Sequence, residues 1–146
     1  TAKASLFITG KQVEIGDVAP SLEHRSYGEE LALCQRYYER FNYTSTTWER
    51  IVTGFVPGTT TSNIMQSVFQ FSEKRALPTI SMSAASTFRQ NGAGVGDNVA
   101  TAVNAGTIGK RNFNLNVTGN TRTSGLAGWI SRENNSQTYL EIDAEL

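Results

Sequence analysis

The last eight residues, Tyr-Leu-Glu-Ile-Asp-Ala-Glu-Leu at positions 139 to 146, alternate strictly along the chain. The apolar members are Leu140, Ile142, Ala144 and Leu146, and the residues between them are a tyrosine and three carboxylates. Successive side chains of a β-strand point to opposite faces of a sheet, so this period of two predicts a half-buried strand. We therefore expect a sheet protein whose core is covered on one face by this segment.

A second stretch, Arg111 to Thr118, repeats the alternation with the sequence Arg-Asn-Phe-Asn-Leu-Asn-Val-Thr. Its apolar residues are predicted to face inward and its asparagines outward; they are Phe113, Leu115 and Val117 against Asn112, Asn114 and Asn116. Further strand candidates, separated by turn residues, are Ser5 to Thr9, Gln12 to Ile15, Tyr37 to Tyr43, Trp48 to Phe55, Ile64 to Phe71, Thr79 to Ser83 and Gly125 to Ser131. About nine short strands in one domain, residues 1 to 146, favour an all-β sandwich or barrel.

One short helix is predicted near residues 27 to 36. Ser26 is followed three residues later by Glu29, the spacing of a capping box in which each side chain bonds a free amide of the first turn. An apolar stripe follows at helical spacing and is expected to lie across the sandwich; it consists of Tyr27, Leu31, Cys34 and Tyr38. The glycine-rich segment from Gln90 to Asp97 is expected to be a long mobile loop, and Gly119 with Asn120 is expected to form a turn.

The composition excludes several classes of function. The chain has 146 residues with 13 Lys plus Arg against 13 Asp plus Glu, and only 18% of its residues are charged. A neutral chain lacks the one-sign field that attracts nucleic acid, so a nucleic-acid partner is not expected. Apolar runs are only a few residues long, which excludes membrane insertion by a helix, and no signal peptide opens the chain. The first residue is Thr, from which we expect either a processed product or, preferred here, a piece of a longer protein.

Catalytic and metal-binding motifs are missing from the sequence. Cys34 is the single cysteine and His24 the single histidine, so neither a thiolate cluster nor a His-rich metal site is expected, and no cofactor is predicted. We interpret Cys34 as a buried small hydrophobe and place His24 in a salt-bridged patch. Gly92, Gly94 and Gly96 lack the spacing and the following helix of a nucleotide loop. We expect no enzyme activity.

The segment from Glu14 to Tyr38 carries a resemblance to a known family. It reads Glu-Ile-Gly-Asp-Val-Ala-Pro-Ser-Leu-Glu-His-Arg-Ser-Tyr-Gly-Glu-Glu-Leu-Ala-Leu-Cys-Gln-Arg-Tyr-Tyr. This run resembles a module at the C-terminal ends of bacteriophage tail fibres, tailspikes and related virion proteins. Two weaker matches extend it, Arg75 to Ile80 and Ile142 to Leu146. Glu73 and Lys74 depart from the family pattern, because apolar residues are expected before Arg75.

The resemblance implies an antiparallel β-sandwich of jelly-roll type at the distal end of a tail fibre or tailspike. It also implies a homotrimer in the virion, with this domain as the C-terminal part of a longer chain. The implied function is noncatalytic recognition of a bacterial surface glycan, lipopolysaccharide or capsule. In such modules, variable loops carry the specificity.

Eight residues are candidates for contact with a glycan. Flat indole rings match the apolar face of a pyranose, and arginine, asparagine and aspartate suit the hydroxyl groups around it. The candidates are Trp48, Arg50, Arg89, Asn91, Asp97, Trp129, Arg132 and Asn135. For each polar member the alternative is a solvated surface role, and for Tyr37 and Tyr38 we favour the core or a subunit contact.

Two other functions stay open. The domain could lock three chains together and bind no ligand, because alternation in the final strand and the tyrosines after the helix suit a subunit contact equally well. It could also be a small polysaccharide hydrolase if two carboxylates lay about 5 to 9 Å apart. The carboxylates of the last strand are more simply a solvent-facing edge guarded against aggregation.

Overall fold

The computed structural model of the chain describes residues 25–44, 48–58, 61–92, 96–133 and 137–145. Within these ranges the chain forms ten strands, one α-helix and one 3-10 turn. In chain order they are α1 (Tyr27–Gln35), β1 (Tyr38–Tyr43), β2 (Arg50–Phe55), β3 (Thr61–Gln70), β4 (Thr79–Met82), the 3-10 turn (Ala85–Thr87), β5 (Phe88–Gly92), β6 (Asn98–Val99), β7 (Ala102–Ile108), β8 (Asn112–Thr123), β9 (Ala127–Arg132) and β10 (Thr138–Asp143).

The strands form two antiparallel sheets. The smaller sheet has the order β1-β10-β4, and the larger has the order β6-β5-β9-β2-β3-β8-β7. Pairing is nested, since β1 pairs with β10, β2 with β9 and β3 with β8. A chain that doubles back and wraps in this way forms a jelly roll. The predicted all-β antiparallel sandwich with one short helix is confirmed.

One hydrophobic core lies between the sheets. Leu140 and Ile142 of the small sheet join Phe113, Leu115 and Val117 of the large sheet, and all five are fully buried. Aromatic contacts cross the gap as well: the Phe41 ring meets Phe69 edge-on with 5.1 Å between centroids. The alternation that predicted β8 and β10 is thus confirmed, because these inward residues line the core.

Most predicted strands are present, and three strands were missed. The segments predicted at 37–43, 48–55, 64–71, 79–83, 111–118, 125–131 and 139–146 correspond to β1, β2, β3, β4, β8, β9 and β10. The strands β5, β6 and β7 were not predicted. The strand predictions at Ser5 to Thr9 and Gln12 to Ile15 lie outside the described residues, as do Leu146 and His24.

The prediction of a loop from Gln90 to Asp97 is wrong for its first three residues. Gln90, Asn91 and Gly92 belong to β5, and Gln90 is fully buried. Its amide nitrogen donates to the Val117 carbonyl at 2.5 Å, and its amide oxygen accepts from Arg122 Nε at 2.9 Å. Because this inward position of β5 holds a hydrogen-bonded glutamine instead of an apolar residue, the sequence there does not alternate between apolar and polar residues. The turn predicted at Gly119 and Asn120 is also wrong, because β8 runs through it.

The helix is where it was predicted, but its stripe is not buried. Ser26 and Glu29 form the full capping box. The predicted burial of the stripe is nevertheless wrong, because Tyr27 is 82% exposed and Leu31 and Tyr38 are also exposed. Cys34 is exposed too, which corrects its interpretation as a buried hydrophobe. Main-chain and side-chain bonds hold only the C-terminal end of α1 to the sandwich, so the stripe faces away from the core.

The C-terminal end of α1 is held by a buried lysine. Lys74 Nζ donates to the Gln35 carbonyl and lies 2.7 Å from Glu39 Oε2. The Glu39 carboxylate also accepts from the Ser72 amide and hydroxyl at 3.0 and 2.8 Å. A buried charge is tolerated when paired and hydrogen-bonded in this way, which explains why a lysine stands where an apolar residue was expected.

Candidate functional site

Candidate side chains converge on the outer face of the large sheet, at β5, β9 and β2. Ile130 of β9 points into the core, so Trp129 and Ser131 point outward. Arg89 on β5 and Arg50 on β2 both pair with Ser131, from opposite sides. The two arginines therefore share one row of the sheet, with Cα atoms roughly 10 Å apart across two strand spacings.

Two tryptophans hold these arginines by their ring faces. The guanidinium carbon of Arg50 lies 4.4 Å from the centroid of the Trp129 ring, and that of Arg89 lies 4.7 Å from the Trp48 ring. A guanidinium over an indole is attracted by the negative ring face, by about 0.5–1 kcal/mol at exposed sites. We call this group of four residues, Trp48, Arg50, Arg89 and Trp129, the tryptophan–arginine platform.

The two indoles of the platform differ in access. Trp48 is 53% exposed, whereas Trp129 is only partly exposed. Gly92 closes in on the Trp129 ring, since a Cβ at Gly92 would lie 3.4 Å from Cζ3 of the ring. Gly92 also has a φ of 76°, a left-handed conformation that favours glycine. Trp129 thus supports Arg50 from below, while Trp48 offers an open aromatic surface.

An ion pair fixes Arg89 on the platform. Its Nη1 donates to both carboxylate oxygens of Glu133, at 3.0 and 2.8 Å. Both side chains are about one-fifth exposed, so solvent screens the pair only in part. The guanidinium is therefore held in position between an indole face and a carboxylate.

Two sequence candidates are buried rather than available to a ligand. Asn91 is 2% exposed within β5, and its Nδ2 donates to Ser131 Oγ at 2.7 Å. Arg132 is also 2% exposed, because it follows Ser131 and so lies on the inner side of β9. Both lie near strand ends, but their burial contradicts the expectation that their side chains are available to a glycan. Asn91 instead contributes to the floor beneath the platform.

The remaining two candidates are not part of the platform. Asp97 is exposed and directly precedes β6, whose first residue Asn98 pairs with Gln90 of β5. Burial lowers the pKa of the Arg122 guanidinium, and the charge of Asp97 offsets part of this shift. Asn135 lies outside the described residues. Trp48, Arg50, Arg89 and Trp129 are therefore the candidates that the fold brings together.

Sequence reasoning missed Glu133 and Ser131 as members of this region. Glu133 directly follows the candidate Arg132, but its partner Arg89 is 44 residues away. Such a pairing becomes visible only when β5 and β9 are known to be neighbours. If β5 had been recognised as a strand, the apolar Phe88 would have indicated that the next residue, Arg89, points outward.

The other half of the same outer face is uncharged. Strands β3, β8 and β7 place amides side by side there, with Gln66 opposite Asn116 and Gln70 opposite Asn112. Asn104 of β7 lies opposite Asn116 on its other side. Val68 stands among these amides and is 53% exposed. The charged and aromatic groups of this face are thus concentrated on the β5, β9 and β2 half.

The platform provides the two kinds of contact that sugars use. Trp48 offers a flat apolar surface, and the guanidinium groups offer several N–H donors in fixed directions. Within the described ranges no group of three His, Cys, Asp or Glu residues is placed to hold a metal ion. No helix in the described part of the chain is long and apolar enough to cross a bilayer.

The fold and the platform define an all-β sandwich with an exposed aromatic and cationic surface. No family model, curated protein or solved structure matches this chain.

Proposed function

We propose that this domain recognises a bacterial surface glycan, lipopolysaccharide or capsule, without catalysis, at the distal end of a phage tail fibre or tailspike. The observation that carries the proposal is the tryptophan–arginine platform, in which Arg89 lies over the indole of Trp48, 53% exposed, and Arg50 lies over the indole of Trp129. The resemblance of residues 14 to 38 to tail-fibre modules supplies the biological setting.

The geometry of the platform supports a saccharide ligand over a peptide or a lipid. The surface follows the sheet and is shallow, so it suits a chain of sugars lying across it rather than an inserted side chain. Shallow sites bind weakly by themselves. Presentation of several copies on one virion would raise the overall affinity by about a hundredfold or more.

The same geometry supports binding without hydrolysis. Glu133 is the carboxylate bound on the platform, and both of its oxygens accept hydrogen bonds from Arg89. A glycosidase needs two carboxyl groups facing the scissile bond, one of them able to donate a proton. Arg89 engages both oxygens of Glu133, so this carboxylate is not presented to a glycosidic bond.

The proposal is tested by titrating tryptophan fluorescence with lipopolysaccharide and capsular fractions from candidate hosts. Trp48 and Trp129 are the two tryptophans of the chain, so Trp129→Phe leaves Trp48 as the reporter. We expect a saturable signal with one fraction. Trp48→Ala should weaken binding by roughly tenfold or more, since losing a stacked aromatic costs about 1 kcal/mol beyond its buried area.

Tyr27→Ala is the matched control, because Tyr27 is an aromatic that is 82% exposed on α1, outside the platform. It should leave glycan binding unchanged. Release of reducing ends from the bound fraction would overturn the noncatalytic part of the proposal. Absence of binding both in fluorescence and in a pull-down on whole cells would overturn recognition itself.

A second candidate function is assembly of a homotrimer, and the exposed stripe of α1 favours it. Tyr27 and Leu31 are exposed, and so are Tyr37 and Tyr38 at the junction with β1. Apolar groups gathered on one exposed element are typical of a surface that another chain covers. This candidate does not need the platform, so the two functions have separate residues.

Light scattering on the purified domain tests assembly. A trimer that Leu31→Asp converts to monomer would support contact through α1. Glu30→Gln, which changes a charged neighbour on the same helix, should leave the mass unchanged. A monomer in the unchanged protein would contradict the assembly candidate.

A further inference from the structure

A basic cleft of about 270 Å³ lies where the C-terminal end of α1 meets the turns after β3 and β7. Four cationic side chains and one carboxylate line it: Arg36, Lys74, Arg75, Lys110 and Glu73. Together with Arg111 beside it, this region holds five of the 13 basic residues of a chain with zero net charge. The cleft lies at a different part of the molecule from the tryptophan–arginine platform.

Main-chain hydrogen bonds hold the three segments of the cleft together. The Arg75 amide donates to the Arg36 carbonyl at 3.0 Å, and the Lys74 amide donates to the Lys110 carbonyl at 2.8 Å. Lys110 Nζ also donates to the Arg75 carbonyl at 3.2 Å. The cations therefore converge because the backbone places them there, rather than by free movement of long side chains.

The charges in the cleft do not cancel. Lys74 pairs with Glu39, and Arg111 pairs with Glu73 at 2.5 Å, so each of these two cations has its own carboxylate. The bond from Arg111 holds the pKa of Glu73 below its ordinary value. In the described part of the chain, no carboxylate lies within ion-pair distance of Arg36, Arg75 or Lys110.

The partial negative charge at the C-terminal end of α1 is offset by Lys74. Carbonyls at the C-terminus of a helix carry a partial negative charge that would repel an anion. Lys74 Nζ donates to the Gln35 carbonyl and so offsets this charge from below.

Among the described residues, Glu73 is the one carboxylate of the cleft lining, and it is bound by Arg111 while also lying in the field of Arg36 and Lys110. The cations of the cleft outnumber it, so an anion between Arg36, Arg75 and Lys110 would relieve their mutual repulsion.

We propose that the basic cleft binds an oxyanion, the phosphate or carboxylate group of an acidic ligand. Arginine presents paired N–H donors that match either group, and Arg75 is oriented by the Tyr37 ring, whose centroid lies 5.0 Å from its guanidinium carbon. A volume of about 270 Å³ accommodates such a group with part of the sugar that carries it. This inference stands apart from the platform and does not depend on glycan binding there.

The test is a titration followed by amide chemical shifts of the ¹⁵N-labelled domain at constant ionic strength. The probes are inorganic phosphate, glucose 1-phosphate, glucuronate and, as the uncharged control, glucose. We expect saturable shifts at residues 36–37, 74–77 and 109–111 with the anions and none there with glucose. Tighter binding of glucose 1-phosphate than of inorganic phosphate would assign the cleft to a glycan-borne group, and equal binding would assign it to free phosphate.

Variants locate the site. Arg75→Gln combined with Lys110→Gln should weaken anion binding about tenfold or more, equivalent to about 1.4 kcal/mol. Arg36→Gln repeats the test at the third cation if the double variant unfolds. Arg50→Gln removes a cation from the platform and should leave anion binding unchanged.

Two results would overturn the inference. One is the absence of shifts at the cleft with every anion, and the other is unchanged affinity in both cleft variants. Neither result bears on glycan binding at the platform. Conversely, loss of glycan binding by Trp48→Ala in the pull-down on whole cells, with intact anion binding, would separate the two sites.

Discussion

The tryptophan–arginine platform and the basic cleft both present arginines to solvent, but they hold them in different ways. On the platform, Arg50 and Arg89 lie against indole rings, and Arg89 has a carboxylate partner in Glu133. In the cleft, the backbones of Arg36 and Arg75 are bonded to each other and Arg75 lies over the Tyr37 ring, but among the described residues neither arginine has a carboxylate within ion-pair distance. The platform thus presents arginine as a planar hydrogen-bond donor, whereas the cleft presents it as a positive charge.

This difference leads us to expect different ligand chemistry. A guanidinium stacked on an aromatic ring and paired with a carboxylate has little net field, so it favours hydroxyl groups that accept hydrogen bonds. Uncompensated cations produce a local field that salt screens and that anions relieve. A neutral chain can therefore contain one surface for uncharged sugars and another for acidic groups.

The largest expected effect concerns Lys74, which forms the floor of the basic cleft. Lys74→Met removes the cation but retains much of the buried stem. It leaves Glu39 buried without its charge partner and the Gln35 carbonyl without its donor, so we expect a loss of about 3–5 kcal/mol in the free energy of unfolding. Urea unfolding followed by circular dichroism measures this loss.

The double variant Lys74→Met with Glu39→Gln is the control for that prediction. Removing both charges should restore part of the lost stability, because a neutral amide can still accept from Ser72. If the double variant is no more stable than the single one, the pair does not act as described. Trp fluorescence should report an intact platform in whichever of the two variants folds.

The second prediction compares the two regions by salt. Raising sodium chloride from about 0.05 M to about 0.5 M shortens the screening length to a few ångströms. Phosphate affinity at the cleft should fall several-fold, whereas binding of an uncharged oligosaccharide to the platform should change little. Parallel titrations at both salt concentrations measure the two affinities. Equal salt dependence would remove the distinction between the regions.

Much of the fold could be predicted from the sequence where the inward residues are apolar. β8 and β10 were predicted from strict alternation because Phe113, Leu115, Leu140 and Ile142 face the core. β5 was missed because its inward position Gln90 is polar and is satisfied by hydrogen bonds to residues far away in sequence. A strand is recognised in a sequence by the spacing of its apolar residues, so a strand whose inward side chain is polar and hydrogen-bonded is not detected in this way.

The helix shows a second limit of sequence reasoning. Its start was predicted correctly, since the capping box is a local interaction between Ser26 and Glu29. Its orientation was predicted wrongly, because orientation depends on contacts such as Lys74 with Gln35, 39 residues apart. Local chemistry determines where a helix begins, whereas distant partners determine which face it buries.

The candidate site was predictable only in part. Four of the eight candidates meet on the platform, and exposed or half-exposed tryptophans next to arginines were the useful signal. Arg132 was misplaced because strand alternation puts it on the inner side of β9. The basic cleft was not predicted, since its cations come from three separate segments that are joined by the pairing of β3 with β8 and by the bond from the Arg75 amide to the Arg36 carbonyl.

The third prediction concerns pH, at Tyr43 of β1, which packs against the hydrophobic core. Burial, with a smaller contribution from Glu49, raises the pKa of Tyr43 to about 12. The unfolded chain releases this proton near pH 10, whereas the folded chain retains it to about pH 12. The free energy of unfolding should therefore fall as pH rises across this interval. Urea unfolding at several alkaline pH values measures the slope, and Tyr43→Phe should reduce it.

Tyr27→Phe is the matched control for the alkaline experiment, because Tyr27 is largely exposed. It should leave the alkaline slope unchanged. A slope that is the same in Tyr43→Phe and in the unchanged protein would show that the Tyr43 phenol does not carry the effect. The size of the change should stay below 1.4 kcal/mol per pKa unit, since the ring is only half-buried.

The smallest expected effect tests how the platform holds Arg50. Arg50→Lys retains the positive charge but replaces a flat guanidinium, whose carbon lies 4.4 Å from the Trp129 ring centroid, with a compact ammonium. We expect stability to fall by at most about 0.5–1 kcal/mol and glycan affinity to fall a few-fold. If stacking orients the guanidinium, Arg50→Lys should weaken glycan binding as Arg50→Gln does. If charge alone matters, Arg50→Lys should bind like the unchanged protein, and the flat geometry of the guanidinium would then not explain why the platform suits hydroxyl groups.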